Sequence, residues 1–237
     1  MNDMSNYRRD EFDIAQESAR FMTGVYKWMT AGILTTAAFA YVVASSPDLY
    51  YMITSNKILF IGLIIIELGA VIYLSARIQK MTAMTATIVY FLYAALSGVT
   101  LSVIAMVYTS ESIFTTFLLT ASGFAGLSAY GYITKRDLGP VGTFCHMGLW
   151  GMIAFGVLSL FFPSMMSTGG SKIFGLVGVI VFAGLTAYDT KKIKEMNIIG
   201  NEGTEENHKE TIMGALTLYL DFINLFLSLL RLTGNRR

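Results

Sequence analysis

The sequence predicts an all-α integral membrane protein with seven transmembrane helices. Of 237 residues, 54% are hydrophobic and only 14% are charged, and the mean hydropathy is +0.57. Soluble domains carry roughly 25% charged residues. The net charge of +1 supplies no field that would attract a polyanion. This composition argues against a nucleic-acid binder, a disordered chain and an ordinary cytosolic enzyme.

Seven mainly apolar stretches are each long enough to cross the membrane, which takes about 20 helical residues because lipid offers no partners to free backbone groups. Pro47, Pro140 and Pro163 lie at boundaries between stretches, where a missing N–H costs least. We therefore predict a polar cytoplasmic tail over 1–27, a membrane domain over 28–232 and a basic tail over 233–237. The predicted spans are 28–46, 58–76, 84–107, 112–133, 141–162, 171–190 and 211–230.

The basic residues predict a cytoplasmic N-terminus, because Lys and Arg favour the cytoplasmic side. The tail and every second loop contain most of them, while the alternate loops contain only Lys57 and Lys172. Three C-terminal arginines conflict with this orientation, since seven spans place Arg231, Arg236 and Arg237 outside. A final segment that does not cross fully would remove the conflict, but we keep seven spans because earlier loops usually decide orientation. The counted cytoplasmic residues are Arg8, Arg9, Arg20, Lys27, Arg77, Lys80, Lys135, Arg136, Lys191, Lys192, Lys194 and Lys209.

Small residues inside the spans predict close helix packing. Ala94-x-x-x-Gly98 and Ser122-x-x-x-Gly126 fit the pattern that lets membrane helices approach each other. We favour packing within one bundle over a dimer motif at both places.

Three acidic residues lie within predicted spans. Glu67 is in the middle of the second, Asp189 is near the cytoplasmic end of the sixth, and Asp221 is ten residues into the seventh. An acid at the centre of a membrane helix costs about 2.5–3.5 kcal/mol, so it should face the bundle and usually has a function. No basic residue shares the centre of the second span. Arg77 is ten residues beyond Glu67, or about 15 Å along a straight helix, which is too far for a direct pair.

Helical spacing predicts that the two aspartates face each other. In the seventh span, Asp221 belongs to a polar seam on one side of the helix, and in the sixth span small and hydroxyl residues lead to Asp189 on one face. The seam consists of Gly214, Thr217, Asp221, Asn224 and Ser228, and the face consists of Gly175, Gly178, Phe182, Thr186 and Asp189.

Two touching carboxylates cannot both ionise cheaply, so such a pair would bind and release a proton near the cytoplasmic side. Protonation could then hold or release a contact between the helices. The alternative is that each acid is satisfied by hydroxyl and amide neighbours and does not switch. For Asp189, solvation at the helix end is an equally good explanation.

His146 and Cys145 are adjacent, so they point to different sides of their helix. Cys145 is the only cysteine, and no second histidine lies in a span. Metal or nucleophile chemistry is therefore disfavoured, and we predict a buried core histidine.

The aspartate motifs resemble those of the Bax inhibitor-1 family, in particular its bacterial YbhL/YccA-like branch. The resemblance rests on Gly184-Leu-Thr-Ala-Tyr-Asp189-Thr, on Gly214-Ala-Leu-Thr-Leu-Tyr-Leu-Asp221-Phe-Ile-Asn224-Leu-Phe, and on the Leu-Leu-Arg231 ending. Thr134-Lys-Arg136-Asp-Leu also fits this branch. The resemblance implies a multi-pass protein of the bacterial plasma membrane, with the last helix inside a ring of six.

The resemblance also implies a pH-sensitive calcium leak that is controlled by Asp189 and Asp221, with Glu67 on the ion path. It implies a latching arginine, for which Arg77 is the nearest candidate. The link between the aspartates departs from the family pattern, because it is long and includes an acidic segment (Glu202, Glu205, Glu206 and Glu210). Such a loop could alter gating or be a solvated insertion, and we favour the solvated insertion.

The residues themselves favour passage of Ca²⁺ over storage. Ca²⁺ takes six to eight oxygen ligands, so Asp189, Asp221 and Glu67 would bind it only weakly and transiently. We expect no tightly bound cofactor, with Ca²⁺ as the permeant ion and the lipid bilayer as partner.

Two other functions were weighed. An intramembrane aspartic protease has Gly-x-Gly-Asp at its second aspartate, whereas this chain has Leu218-Tyr219-Leu220-Asp221, so we predict that it is not an enzyme. A membrane subunit that regulates a membrane-embedded protease or another assembly, without conducting ions, remains the alternative function. A retinal photoreceptor is excluded because the predicted seventh span has no lysine for a Schiff base.

Overall fold

The computed structural model describes the backbone of residues 2–237, and all of their side chains except those of residues 2–12, 160, 163 and 168. Over this range the chain is helical, and seven of its helices are long and apolar enough to cross a membrane, as predicted. The α-helices are α1 (Asn2–Ser45), α2 (Pro47–Ser55), α3 (Lys57–Arg77), α4 (Ala83–Leu101), α5 (Ile104–Val107), α6 (Ser110–Ile133), α7 (Gly139–Phe161), α8 (Thr168–Met196) and α9 (Glu205–Thr233). The ring of six helices around the last one stays a prediction.

The first helix is longer than the sequence predicts. Helix α1 runs from Asn2 to Ser45, so the polar tail is helical and continuous with the first span. Its apolar candidate segment alone, Asp13–Ser45, has 33 residues. At 1.5 Å per residue it would be about 50 Å long, against about 30 Å of hydrocarbon. Its N-terminal turns therefore extend beyond the membrane core. Arg8 and Arg9, which entered the charge count, lie outside the described side chains.

The third predicted span is interrupted. The stretch 84–107 is divided into α4 and the single turn α5, with a break after Leu101. The Ser102 hydroxyl donates to the carbonyl of Val99 at 2.7 Å, so a side chain takes part in ending the helix. Short helices in the loops, α2 and two 3₁₀ turns at Ile78–Lys80 and Pro163–Met166, are also absent from the prediction.

Polar residues fix the starts of four helices. The side-chain oxygens of Asn56, Thr82, Thr109 and Thr204 each accept a hydrogen bond from the backbone N–H three residues later, at 3.1–3.2 Å. These contacts satisfy amides that a helix leaves unpaired at its first turn. They explain why α3, α4, α6 and α9 begin where they do.

The chain forms two compact units. The first contains Met1–Val103 and Ile193–Leu216. Within it, α1 packs closely on α4, where the Thr36 hydroxyl donates to the carbonyl of Ala94 at 2.8 Å. A Cβ added at Gly98 would lie 2.7 Å from the Cβ of Phe39. The close packing predicted for Ala94-x-x-x-Gly98 is therefore confirmed.

The loop between α8 and α9 belongs to the first unit and is fastened to its other helices. Arg20 forms an ion pair with Glu202 at 2.8 Å, and Glu17 accepts a hydrogen bond from the N–H of Gly200 at 2.8 Å. Glu205 accepts one from the N–H of Ala83, at the start of α4, at 2.9 Å. These contacts tie the loop and the first residue of α9 to other helices, while the side chains of Arg20 and Glu202 stay about half exposed. The role of the segment as a solvated insertion stays a prediction.

The second unit contains Ile104–Lys192 and Thr217–Arg237. Helix α8 makes close contacts at glycines within it. Added Cβ atoms at Gly178 and Gly184 would meet the side chains of Ser228 and Cys145, and one at Gly131 of α6 would meet the carbonyl of Ala187. Small residues let these backbones approach each other, as membrane helices require.

One packing prediction is wrong. Apart from atoms of the surrounding helical turns, no heavy atom lies within 4 Å of the position that a Cβ atom would take at Gly126, and the same holds for Gly123. The side chain of Ser122 bonds instead to the carbonyl of Leu118 in its own helix, at 2.8 Å. The Ser122-x-x-x-Gly126 motif thus makes no close helix contact among the described residues.

Candidate functional site: a pair of buried aspartates

The second unit brings Asp189 of α8 and Asp221 of α9 together. Their side chains are buried, 9% and 4% exposed, and their carboxyl groups lie close enough to interact directly. An ionised carboxylate can only accept a hydrogen bond, so the two groups can bond to each other only when one of them holds a proton. The helical spacing predicts this meeting, whereas the role of the pair as a proton sensor stays a prediction.

The face of α8 that leads to the pair is buried, as its pattern predicts. Phe182 and Thr186 are 5% and 0% exposed, and the Thr186 hydroxyl donates to the carbonyl of Phe182 at 2.7 Å. One turn beyond Thr186, Thr190 contacts Ser128 of α6, with 3.0 Å between the two hydroxyl oxygens. The Thr190–Ser128 contact joins α8 to α6 on the helix face next to Asp189.

Asp221 has an unsatisfied oxygen. Its Oδ2 atom is buried and has no hydrogen-bond partner among the described residues. A buried polar atom without a partner costs about 1–3 kcal/mol, and more when it is charged. The unsatisfied oxygen therefore favours keeping a proton at this site over leaving two charges there.

Titratable neighbours surround Asp189. It interacts electrostatically with His146 of α7 and Lys192 of α8. Both also contact the ring of Tyr188: the His146 ring is edge-on at 5.9 Å between centroids, and the Lys192 Nζ atom is 5.7 Å from the Tyr188 centroid. These two groups give Asp189 one cationic and one protonatable neighbour.

The prediction of a buried core histidine is wrong. His146 is exposed, and its Nδ1 atom lies 2.8 Å from the carbonyl oxygen of Gly142 in its own helix. Cys145 is 2% exposed, so the two adjacent side chains do point in different directions. In this exposed position the His146 ring is held by the contact with its own helix backbone and by an edge-on contact with the ring of Tyr188.

Only part of the polar seam of α9 is buried. Asp221 and Ser228 are buried, while Thr217 and Asn224 are half-buried. Asn224 and Ser228 donate to carbonyls of their own helix, at 2.8 and 2.7 Å. These bonds use the Ser228 hydroxyl proton and one of the two N–H groups of the Asn224 amide. A role in ion passage stays a prediction for all residues of the seam.

Glu67 belongs to the first unit and is held by α4. Its Oε1 atom accepts a hydrogen bond from the hydroxyl of Ser97 at 2.5 Å, and its Oε2 atom accepts one from Thr100 at 2.9 Å. Glu67 is half-buried, although α3 has the smallest buried share of the seven candidate spans. Two hydroxyl donors, one to each oxygen, explain how an acid is tolerated in this span.

The possible latch and the possible metal ligands stay predictions. Arg77 is exposed at the last residue of α3 and forms no ion pair with any described side chain. Among the described residues, no three His, Cys, Asp or Glu side chains are grouped so that they could hold a metal ion.

Sequence reasoning missed His146 and Lys192 as neighbours of the aspartates. A signal for His146 was present, because it lies two turns into α7 while Asp189 lies two turns before the end of α8. Consecutive spans run in opposite directions, so both positions fall at the same end of their helices.

Comparison with known proteins agrees with this architecture. A family model described as inhibitor of apoptosis-promoting Bax1 matches residues 18–237. The inner membrane protein YbhL of Escherichia coli is 47% identical over 218 residues, which cover 92% of both chains. An uncharacterized protein of Borreliella burgdorferi is 42% identical over 92% of this chain and 93% of its own, and YrjE of Lactococcus lactis is 36% identical over 90% of both. With the family model covering nearly the whole length, the chain belongs to the Bax inhibitor-1 family.

Proposed function

We propose that this protein is a pH-sensitive passive cation leak with Ca²⁺ as its permeant ion. We place it in the bacterial inner membrane, the location printed in the name of its relative YbhL, with a cytoplasmic N-terminus. Asp189 and Asp221 form the pH sensor, and Glu67 lies on the ion path. The proposal assigns no catalytic reaction to the chain.

The observation that carries this proposal is the direct approach of two buried carboxyl groups on different membrane helices. When the shared proton leaves, two like charges remain in a poorly hydrated site, and the contact between α8 and α9 loses its hydrogen bond. The free energy of this helix contact then depends on pH. Such a contact is a two-state element that protonation can bias.

Passage suits these residues better than storage. Ca²⁺ takes six to eight oxygen ligands, and both oxygens of Glu67 already accept hydrogen bonds from Ser97 and Thr100. A conduit must bind an ion weakly enough to release it. One carboxylate with exchangeable hydroxyl partners offers a weak and transient stop for a cation.

The test is Ca²⁺ flux into proteoliposomes that contain an indicator, measured from acidic to alkaline pH. Asp221→Asn should remove most of the pH dependence, because the amide can replace the hydrogen bond but cannot titrate. The matched control is Asp48→Asn, which makes the same change at an exposed position of α2 and should keep the wild-type profile. Retention of the wild-type profile by Asp221→Asn would disprove the sensor.

Glu67→Gln separates the path from the sensor in the same assay. It should lower flux at every pH without changing the shape of the profile, because it alters the path and leaves the aspartate pair intact. Unchanged flux would remove Glu67 from the path. If the wild-type protein leaked no faster than empty liposomes at any pH, the leak would be wrong, and the regulatory membrane subunit would take its place.

A further inference from the structure

The C-terminal tail is fixed in the second unit. The N–H of Thr109 donates to the carbonyl of Asn235 at 3.1 Å, and the N–H of Arg237 donates to the carbonyl of Val107 at 3.0 Å. The N–H of Asn235 also donates to the Ser112 hydroxyl at 2.9 Å. These bonds hold the tail against the junction of α5 and α6, so the arginines that it carries have defined positions.

Two arginines meet at this end of the unit. Arg236 lies over the ring of Tyr108, with 5.8 Å between the guanidinium carbon and the ring centroid, and its Nη2 atom lies 3.4 Å from the hydroxyl of Ser171. Arg231, in the last turn of α9, lies 4.8 Å from the ring centroid of Phe174. Its Nη1 atom is buried and has no hydrogen-bond partner among the described residues.

The charge of Arg231 is not compensated by its electrostatic neighbours in the described part of the chain. The electrostatic neighbours of Arg231 are Tyr108 and the like-charged Arg236. Neither arginine, nor Arg237 beside them, forms an ion pair with a described carboxylate. An uncompensated arginine within a membrane helix is costly and usually marks a site for an anion or an ion path. The positive-inside rule gives no reason for these residues, because it places this end outside.

An apolar groove adjoins the arginines. It has a volume of about 520 Å³ and is formed by α7, the first turns of α8 and Met165 between them. Its walls include Gly151, Phe155, Phe174 and Val177. The guanidinium of Arg231 lies over the ring of Phe174. Gly170, another groove residue, directly precedes Ser171, which contacts Arg236. The cationic groups and the groove therefore share the first two turns of α8.

We propose that this end of the second unit binds an anionic phospholipid, with its phosphate held by Arg231 and Arg236 and one acyl chain in the groove. Guanidinium groups donate paired hydrogen bonds to phosphate oxygens, and this geometry suits a lipid headgroup on either side of the membrane. The phosphate supplies the acceptor that Arg231 lacks. The groove favours a lipid over free phosphate, because it would bury hydrocarbon beside the charge.

Native mass spectrometry of the detergent-purified full chain tests this proposal, with phosphatidylglycerol and phosphatidylcholine titrated separately. The wild-type protein should prefer phosphatidylglycerol. Arg231→Gln/Arg236→Gln should bind it at least about tenfold more weakly, a loss of about 1.4 kcal/mol or more, because two charged donors to the phosphate are removed. Lys135→Gln/Arg136→Gln is the matched control, because it removes the same charge from exposed loop positions and should bind as the wild type does.

Gly151→Leu tests the acyl chain without touching an arginine. No atom outside its own local helix lies within 4 Å of a Cβ at this position, so the larger side chain can enter the groove without disturbing the packing. It should weaken long-chain phosphatidylglycerol about tenfold. It should leave any binding of glycerol phosphate, which has no acyl chain, unchanged.

Three results would overturn the proposal. The first is equal affinity of the wild-type protein for the two lipids. The second is a double arginine variant that binds phosphatidylglycerol as well as its charge-matched control does. The third is displacement of the lipid by equimolar inorganic phosphate, which would show a phosphate site without a role for the groove.

Discussion

The attachment of Glu67 to α4 allows a quantitative test of how this acid is stabilised. The perturbation is Ser97→Ala, which removes the hydroxyl that donates to Oε1 at 2.5 Å and leaves Thr100 in place. Ser97 is 1% exposed, so water cannot easily replace the lost donor. The free energy of unfolding should therefore fall.

The size of the loss depends on the charge of the acceptor. Hydrogen bonds between neutral side chains in membrane proteins are worth about 0.6 kcal/mol on average. Hydrogen bonds to charged groups are worth about 1.5–3 kcal/mol. Both oxygens of Glu67 lie within hydrogen-bond distance of hydroxyls, and we expect the loss in the upper range that applies to a charged acceptor.

The assay is a double-mutant cycle with Glu67→Gln, measured by denaturant unfolding in detergent micelles. Ser97→Ala should cost about 1.5–3 kcal/mol in the wild-type background. It should cost much less in the Glu67→Gln background, because the charged acceptor is gone. Ser122→Ala removes an exposed hydroxyl that bonds only within its own helix and should change stability little. A coupling energy below about 0.6 kcal/mol would refute the assignment of a charged, hydroxyl-bound carboxylate.

Two further predictions concern packing and orientation. Gly131→Ala should lower the free energy of unfolding by about 1–3 kcal/mol, because its methyl group meets the carbonyl of Ala187. Gly126→Ala should be neutral or stabilising by up to about 1 kcal/mol. Equal values for the two variants in denaturant unfolding would contradict the close contact at Gly131. Seven spans that start from a cytoplasmic N-terminus end outside the cytoplasm. Alkaline phosphatase fused after Arg237 should therefore be active, and a green fluorescent protein fused there should be dark. The opposite pattern would require a reversed topology or an even number of crossings.

The spans and the faces of single helices follow from local information in the sequence. Segment length and apolar content identify the crossings, and the 3.6-residue period places Asp189 and Asp221 on the packed sides of their helices. Helix starts at residues such as Thr82 and Thr109 also follow a local rule, since the cap and the capped amide are three residues apart. The break within the third predicted span does not follow from these rules, because it depends on a single side chain, Ser102, whose hydroxyl bonds to the backbone.

Contacts between segments distant in the chain could not be obtained in this way. Arg20 with Glu202 and Glu67 with Ser97 join residues far apart in sequence, and several donors in the chain could equally have served each acceptor. Choosing among them requires the rotation and height of each helix relative to its neighbour. Those quantities depend on the packing of many side chains at once.

The sequence by itself determined that the chain is a multi-span helical membrane protein with acids on helix faces that avoid lipid. Only the tertiary structure decided which small or polar residue meets a neighbour: Gly131 touches another backbone and Gly126 does not, although both lie in the same helix. The physical reason is the solvent. In water an apolar face reveals where the core lies, whereas in a bilayer an apolar side chain is as stable against lipid as against another helix. Hydrophobic patterning therefore locates the spans and leaves their mutual arrangement to packing.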